Sequence, residues 1–139
     1  MLIELKRVDE DFSFEAKDAL GHTVRMDSGS ESGGHDAGVR PMQMLLMGVG
    51  GCSGIDIVSI LKKQKQYIED FTIQIDGKRE PGKEPSLWET VTIRFLLKGD
   101  IEPGKAQRAV ELSMEKYCSV AETLRKSGTK LDWTVSVNN

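Results

Sequence analysis

Cys52 and Cys118 are the only thiols in this chain of 139 residues, and they stand 66 positions apart, so only tertiary folding can join them. If it does, the chain carries a dithiol and its chemistry is redox. A thiolate attacks the distal oxygen of a peroxide, becomes a sulfenic acid, and condenses with a second thiol to a disulfide. Cys52 lies within Gly50-Gly51-Cys52-Ser53-Gly54, small residues that leave its sulfur uncrowded on one side. Cys118 follows Tyr117 and precedes Ser119 and Val120 at the predicted start of a helix, where the helix dipole favours thiolate. The bland alternative is a buried cysteine acting as a small hydrophobe.

Metal binding is the competing use of such residues. Cys52, Cys118, His22 and His35 are the available ligands, but no CxxC or HxxxH pair is present, so no metal site is expected. His22, in a turn, and His35, in a glycine-rich loop, are expected in solvent, and a Cys–His protease pairing has no supporting local pattern. Asp56 follows Cys52 by one helical turn and projects near the same face. A carboxylate there raises a thiol's pKa, so Asp56 is expected to cap, to pair with a cation or to face a partner.

The elements that must position these groups are legible in outline. The first 27 residues read as short strands, with Val8, Phe12 and Phe14 alternating with charges and a turn at Leu20-Gly21-His22. Residues 28–39 hold Gly29, Gly33, Gly34 and Gly38 and predict a mobile loop, long enough to act as a lid or a partner-contacting segment. Pro41 then opens a long helix to about Lys65, predicted to be largely buried. Gly48, Gly50, Gly51 and Gly54 each cost it about 1 kcal/mol relative to Ala. Such glycines imply that backbone must approach a second helix or a ligand closely. Met42, Met44 and Met47 fit packing, and the Lys62-Lys63-Gln64-Lys65 run fits a solvated helix end. Strands are predicted at 71–76 and 91–97, joined by a long hairpin over 77–85. A helix follows from Pro103 to about Lys116 with Ala106, Ala109, Val110 and Met114 inward, then a short one from Ser119 to Lys126 stopped by Gly128, and a last strand over 131–137.

Length predicts one domain over 1–139 that folds without a disulfide. A net charge of −3 argues against nucleic acid or an anionic membrane as the main partner. The N-terminus lacks a signal-peptide core, and no run approaches the roughly 18 apolar residues of a membrane span. The expected compartment is the cytoplasm, where thiols stay reduced.

The segment Arg40-Pro41-Met42-Gln43-Met44-Leu45-Leu46-Met47-Gly48-Val49-Gly50-Gly51-Cys52-Ser53-Gly54-Ile55-Asp56, with Tyr117-Cys118-Ser119-Val120 later, resembles the OsmC/Ohr family, and within it the YhfA-like branch of small bacterial proteins. The resemblance covers nearly the whole chain. It implies an α+β, OsmC-like fold in an intertwined homodimer, with long central helices packed between antiparallel sheets and active sites at the interface. It also implies a thiol peroxidase acting in oxidative stress: Cys52 attacks an organic hydroperoxide, Cys118 resolves, and a dithiol such as a lipoyl group re-reduces the pair, with no cofactor. The family's peroxidases place a Glu directly after the Pro, where this chain has Met42, followed by Gln43. They also supply an Arg from the early strands, for which Arg25 and Arg7 are the candidates. These departures support an alternative, a weakly or non-catalytic member that binds a small apolar ligand or senses redox state.

Overall fold

Val91, Ile93, Phe95 and Leu97 alternate with more exposed neighbours and are 0–1% exposed, which makes Trp88–Asp100 a strand with one wholly covered face. The computed structural model describes every residue from Met1 to Asn139 and divides into two compact units, Met1–Leu45 and Leu46–Asn139.

In the first unit, β1 (Glu4–Arg7), β2 (Phe14–Lys17) and β3 (Thr23–Met26) pair antiparallel in that order. Gly21, at φ +91°, supplies the left-handed turn between β2 and β3 that the sequence predicts. The glycine loop after β3 is tied down rather than featureless. Asp27, 2% exposed, accepts hydrogen bonds from the backbone N–H groups of Ser28 (2.7 Å), His35 (3.0 Å) and Ala37 (3.1 Å). Burial pushes its carboxyl up, but these donors outweigh burial and hold it below the ordinary range. His35 is exposed as expected, and its Nε2 lies 2.6 Å from Asp11 Oδ2, a hydrogen bond that raises the imidazole's pKa.

The second unit is built on β4 (Tyr67–Arg79), β5 (Trp88–Asp100) and β6 (Lys130–Val137), with β5 central. β4 and β5 are 13 residues each, so the predicted hairpin loop is shorter than expected and Gly77 lies inside a strand. β4 pairs antiparallel to β5, but β6 pairs parallel to it, which corrects the expectation of purely antiparallel sheets. The parallel return requires a crossover, and α2 (Pro103–Leu112) and α3 (Ser119–Lys126) form it. One face carries Ile73, Ile75, Ile93, Phe95, Trp133 and Val135 in register, and the other carries Gln74, Thr92 and Arg94. Burying a side chain such as Phe95 stabilises the fold by roughly 1.5–3 kcal/mol.

α1 (Pro41–Lys63) crosses β4 on this apolar face. A Cβ at Gly50 would lie 2.8 Å from Ile75 Cδ1, and one at Gly54 would lie 3.0 Å from Ile73 Cδ1. The close approach expected of the helix glycines is thus met, at these two positions, by the sheet. Gly51 has open space instead, with nothing within 4 Å. The helix is not largely buried within one chain: Val49, Ser53, Ile57 and Leu61 are covered, while Met47 is 49% and Ile55 74% exposed. Contrary to the run-based reading, α1 has the length and mean hydropathy (1.8) of a membrane span. Its covered stripe against the strands is what a core helix also presents, and the run-based reading missed it because glycine and serine interrupt the strongly apolar residues.

Candidate active site

Cys52 projects from the middle of α1, half-buried, and Asp56 follows on the next turn. Cys118 reaches the same place from the other end of the unit. A single π turn, Ser113–Tyr117, follows α2 and ends at Cys118, which is the N-cap of α3. Such turns insert an extra residue and re-aim side chains, often at functional sites. Here the turn lets Cys118 N–H donate to the Ser113 carbonyl at 2.8 Å and points both side chains toward α1. α3 lies beside α1 at Gly48, where an added Cβ would make an ordinary contact with Val120 Cγ1 at 3.6 Å.

The result is a compact cluster. The two sulfurs and a carboxylate oxygen of Asp56 all lie within 4.8 Å of one another. Neither cysteine is in a disulfide. Ser113 Oγ, wholly buried, donates to Asp56 Oδ2 at 2.9 Å, and Ala121 N–H donates to Cys118 Sγ at 3.4 Å. Of the roles expected for Asp56, pairing with a cation is not the one seen, since its partner is a hydroxyl. Two clefts adjoin the cluster. One of about 580 Å³ is bounded by Asp56, Ser59, Ile60, Lys63, Leu112 and Tyr117, and one of about 230 Å³ by Met114, Tyr117, Cys118, Glu122 and Arg125 among others.

Cys118 is only 3% exposed, and burial, more than its proximity to Cys52, pushes its thiol up to about 11. This overturns the expectation that the helix dipole favours thiolate there. The amide of Ala121 pulls in that direction, but desolvation of a buried anion is the larger effect. The two sulfurs consequently differ in accessibility, one half-buried and the other covered. Labelling of Cys118 by iodoacetamide is expected to be slow near neutrality and to accelerate as pH rises toward about 11, and mass-mapped peptides would read it. A labelling rate that levels near the roughly 8.5 of a free thiol contradicts the burial argument. Because the folded value exceeds the unfolded one, the thiol's contribution to stability is full below the unfolded value and is lost as pH rises through the folded one.

The other predicted residues have identifiable partners. Gln43 Oε1 accepts a hydrogen bond from Arg40 N–H at 3.0 Å, the return arm of an N-terminal capping box. Arg25 pairs with Glu15 Oε2 at 3.4 Å across β2 and β3, with both side chains well exposed. Arg7 donates to the carbonyls of Glu10 and Asp11. His22 pairs with Asp18 at 2.9 Å and His35 with Asp11. Sequence reasoning missed Ser113 entirely, and it saw Asp56 without recognising it as the third member of the cluster. The i, i+4 spacing of Cys52 and Asp56 was a usable signal, whereas nothing local marks Ser113.

A model of the OsmC-like protein family matches residues 33–134. Protein YhfA of Escherichia coli (strain K12) is 40% identical over 119 residues, spanning 85% of each chain. Among solved structures, a hypothetical protein from Aquifex aeolicus VF5 is 34% identical with a TM-score of 0.81, covering 99% of this chain and 97% of that one. An organic hydroperoxide resistance protein OsmC from Legionella pneumophila shares the fold at 18% identity, with a TM-score of 0.73 and coverage of 99% and 98%. From its sequence, its α+β architecture of two three-stranded sheets and three helices, and these likenesses, the chain belongs to the OsmC family.

Proposed function

We propose that this protein is a thiol-dependent hydroperoxide reductase in which Cys52 is the peroxidatic and Cys118 the resolving cysteine. The observation that carries the reading is the convergence of two free thiols from distant segments, their sulfurs within 4.8 Å of each other. Their unequal burial supports the division of labour, because the half-buried Cys52 is the one that substrate can reach. Cys52 attacks the distal oxygen of an organic hydroperoxide. The O–O bond breaks, an alcohol leaves, and Cys52 becomes a sulfenic acid. Cys118 then displaces the sulfenic oxygen as water, forming the disulfide. A dithiol such as a lipoyl group returns both sulfurs to thiols and is itself oxidised. The hydroperoxide resistance protein of similar fold supports the substrate class. Gln43 is assigned a supporting role in holding the start of α1 in place, and the compartment is the cytoplasm.

One equivalent of cumene hydroperoxide per chain should reduce the free thiols from two to none and lower the mass by two hydrogen atoms. A gain of one oxygen atom with no Cys52–Cys118 cross-link would sink the resolving role of Cys118.

The same reading takes the protein as a homodimer. Its support is the exposed apolar stripe of α1 at Met47, Gly51 and Ile55, beside an apolar groove of about 630 Å³ that Phe71 and Ile73 also line. In an isolated chain Gly51→Ala meets nothing and should strengthen the helix by about 1 kcal/mol. In a dimer whose helices meet there it should weaken association. Sedimentation equilibrium of both proteins separates the cases, and a monomeric wild type rejects the dimer.

A second reading, a redox sensor or binder of a small apolar ligand, is favoured by Met42 at the position of the family's Glu. Sustained turnover with a dithiol reductant excludes it.

A further inference from the structure

A carboxylate beside two thiols poses a physical question that peroxide chemistry does not answer. Negative charge at Asp56 opposes formation of the thiolate that attacks peroxide, yet the side chain sits on the cysteines' side of α1 with Ser113 Oγ bonded to it and no cation paired with it. Two sulfurs and one carboxylate oxygen that converge in this way are the donor set that a borderline-soft divalent cation takes. Starting from the cysteine pairing of the proposed function, we propose that Cys52, Asp56 and Cys118 bind one zinc-class divalent cation, and that this state alternates with the disulfide.

The geometry is close to what such an ion needs. At a zinc–sulfur distance of about 2.3 Å, tetrahedral ligands stand about 3.8 Å apart, so donors within 4.8 Å need to close by no more than about 1 Å. Ligating groups in metal sites are usually held by further hydrogen bonds, and two of these three are: Ser113 Oγ donates to Asp56 and Ala121 N–H to Cys118. Asp56 also borders the cleft that Ser59 and Tyr117 line, which leaves room for a water as the fourth ligand. Binding displaces the two thiol protons to solvent and places three negative charges around a doubly positive ion. In the metal-free pair, a hydroperoxide takes two electrons from the sulfurs as its O–O bond breaks to alcohol and water, and the resulting disulfide has no thiolate with which to hold a cation. The bound cation in turn blocks the lone pair with which Cys52 attacks. The histidines, at first sight the natural ligands, are not needed.

The test uses the full chain, reduced and stripped of metal by a chelator, titrated anaerobically with Co²⁺ and then Zn²⁺. The expected result is one equivalent bound, with a near-ultraviolet thiolate-to-cobalt charge-transfer band that Zn²⁺ abolishes. Ser113→Ala should weaken affinity by about 10–100-fold, and Asp56→Asn by at least as much. Wild-type protein whose thiols are blocked by methylthiolation should show no band, a control that does not depend on a variant folding. Absence of the band in reduced wild type overturns the proposal, as does a band of undiminished strength in Cys52→Ser or Cys118→Ser, or unchanged affinity in Asp56→Asn. No peroxide enters this titration, and hydroperoxide reduction is assayed on chelator-stripped protein, so either reading can fail alone.

Discussion

Cys52→Ser is expected to slow cumene hydroperoxide consumption with dihydrolipoamide by about 10³-fold or more, to the rate of the uncatalysed mixture, because the atom that bonds to peroxide oxygen is gone. Serine keeps the size and the position on α1, so circular dichroism and the unfolding midpoint should stay near wild type. Cys118→Ser should separate the two steps. The first equivalent of hydroperoxide is still consumed, the product carries one extra oxygen at Cys52, and turnover stalls because no second sulfur displaces it as water. Stopped-flow consumption with intact-mass analysis reads both variants. Equal rates in wild type and Cys52→Ser would remove the peroxidase reading, while a Cys118→Ser enzyme that cycles at full rate would leave Cys52 acting alone with an external thiol.

Gly99→Ala should unfold at markedly lower urea, at a cost of about 3 kcal/mol or more. Gly99 has φ +142°, where a side chain is strained, and an added Cβ would lie 2.2 Å from the Tyr67 carbonyl oxygen and 2.8 Å from the Glu69 nitrogen. Both obstacles are backbone and cannot swing away. The register of β4 and β5 shifts between Ile68 and Asp70 at this point. The Asn138 carboxamide brackets Gly99, accepting from its N–H and donating to its carbonyl, each at 2.9 Å. This junction also launches α2 and the π turn that carry Ser113 and Cys118, so activity should fall with stability. A variant with the wild-type midpoint would show that the bulge rearranges freely.

Much of the positioning framework was legible locally. Pro41 and Pro103 begin helices, Gly128 at φ +102° follows the end of α3, and Ala106, Ala109, Val110 and Met114 are all buried, because propensity and helical spacing act over a few residues. The lengths of β4 and β5 were not legible, since the end residues Tyr67, Ile68, Lys78 and Arg79 lack a continuous alternation and are held in the strand by pairing with Asp100, Gly99, Thr90 and Trp88. Nor was the parallel sense of β6, which depends on a crossover closing over the sheet.

The sequence by itself determined that two cysteines stand in motifs of the OsmC family, one on a glycine-rich helix with Asp56 a turn away and one before a short helix. Those are matters of residue type and short spacing. Only the tertiary structure decided that the two sulfurs and Asp56 gather within 4.8 Å, that Ser113 bonds Asp56 from 57 residues away, and that burial pushes the Cys118 thiol up to about 11. Proximity between distant segments and the desolvation of a charge depend on what surrounds a group in three dimensions, and no stretch of neighbouring residues encodes either.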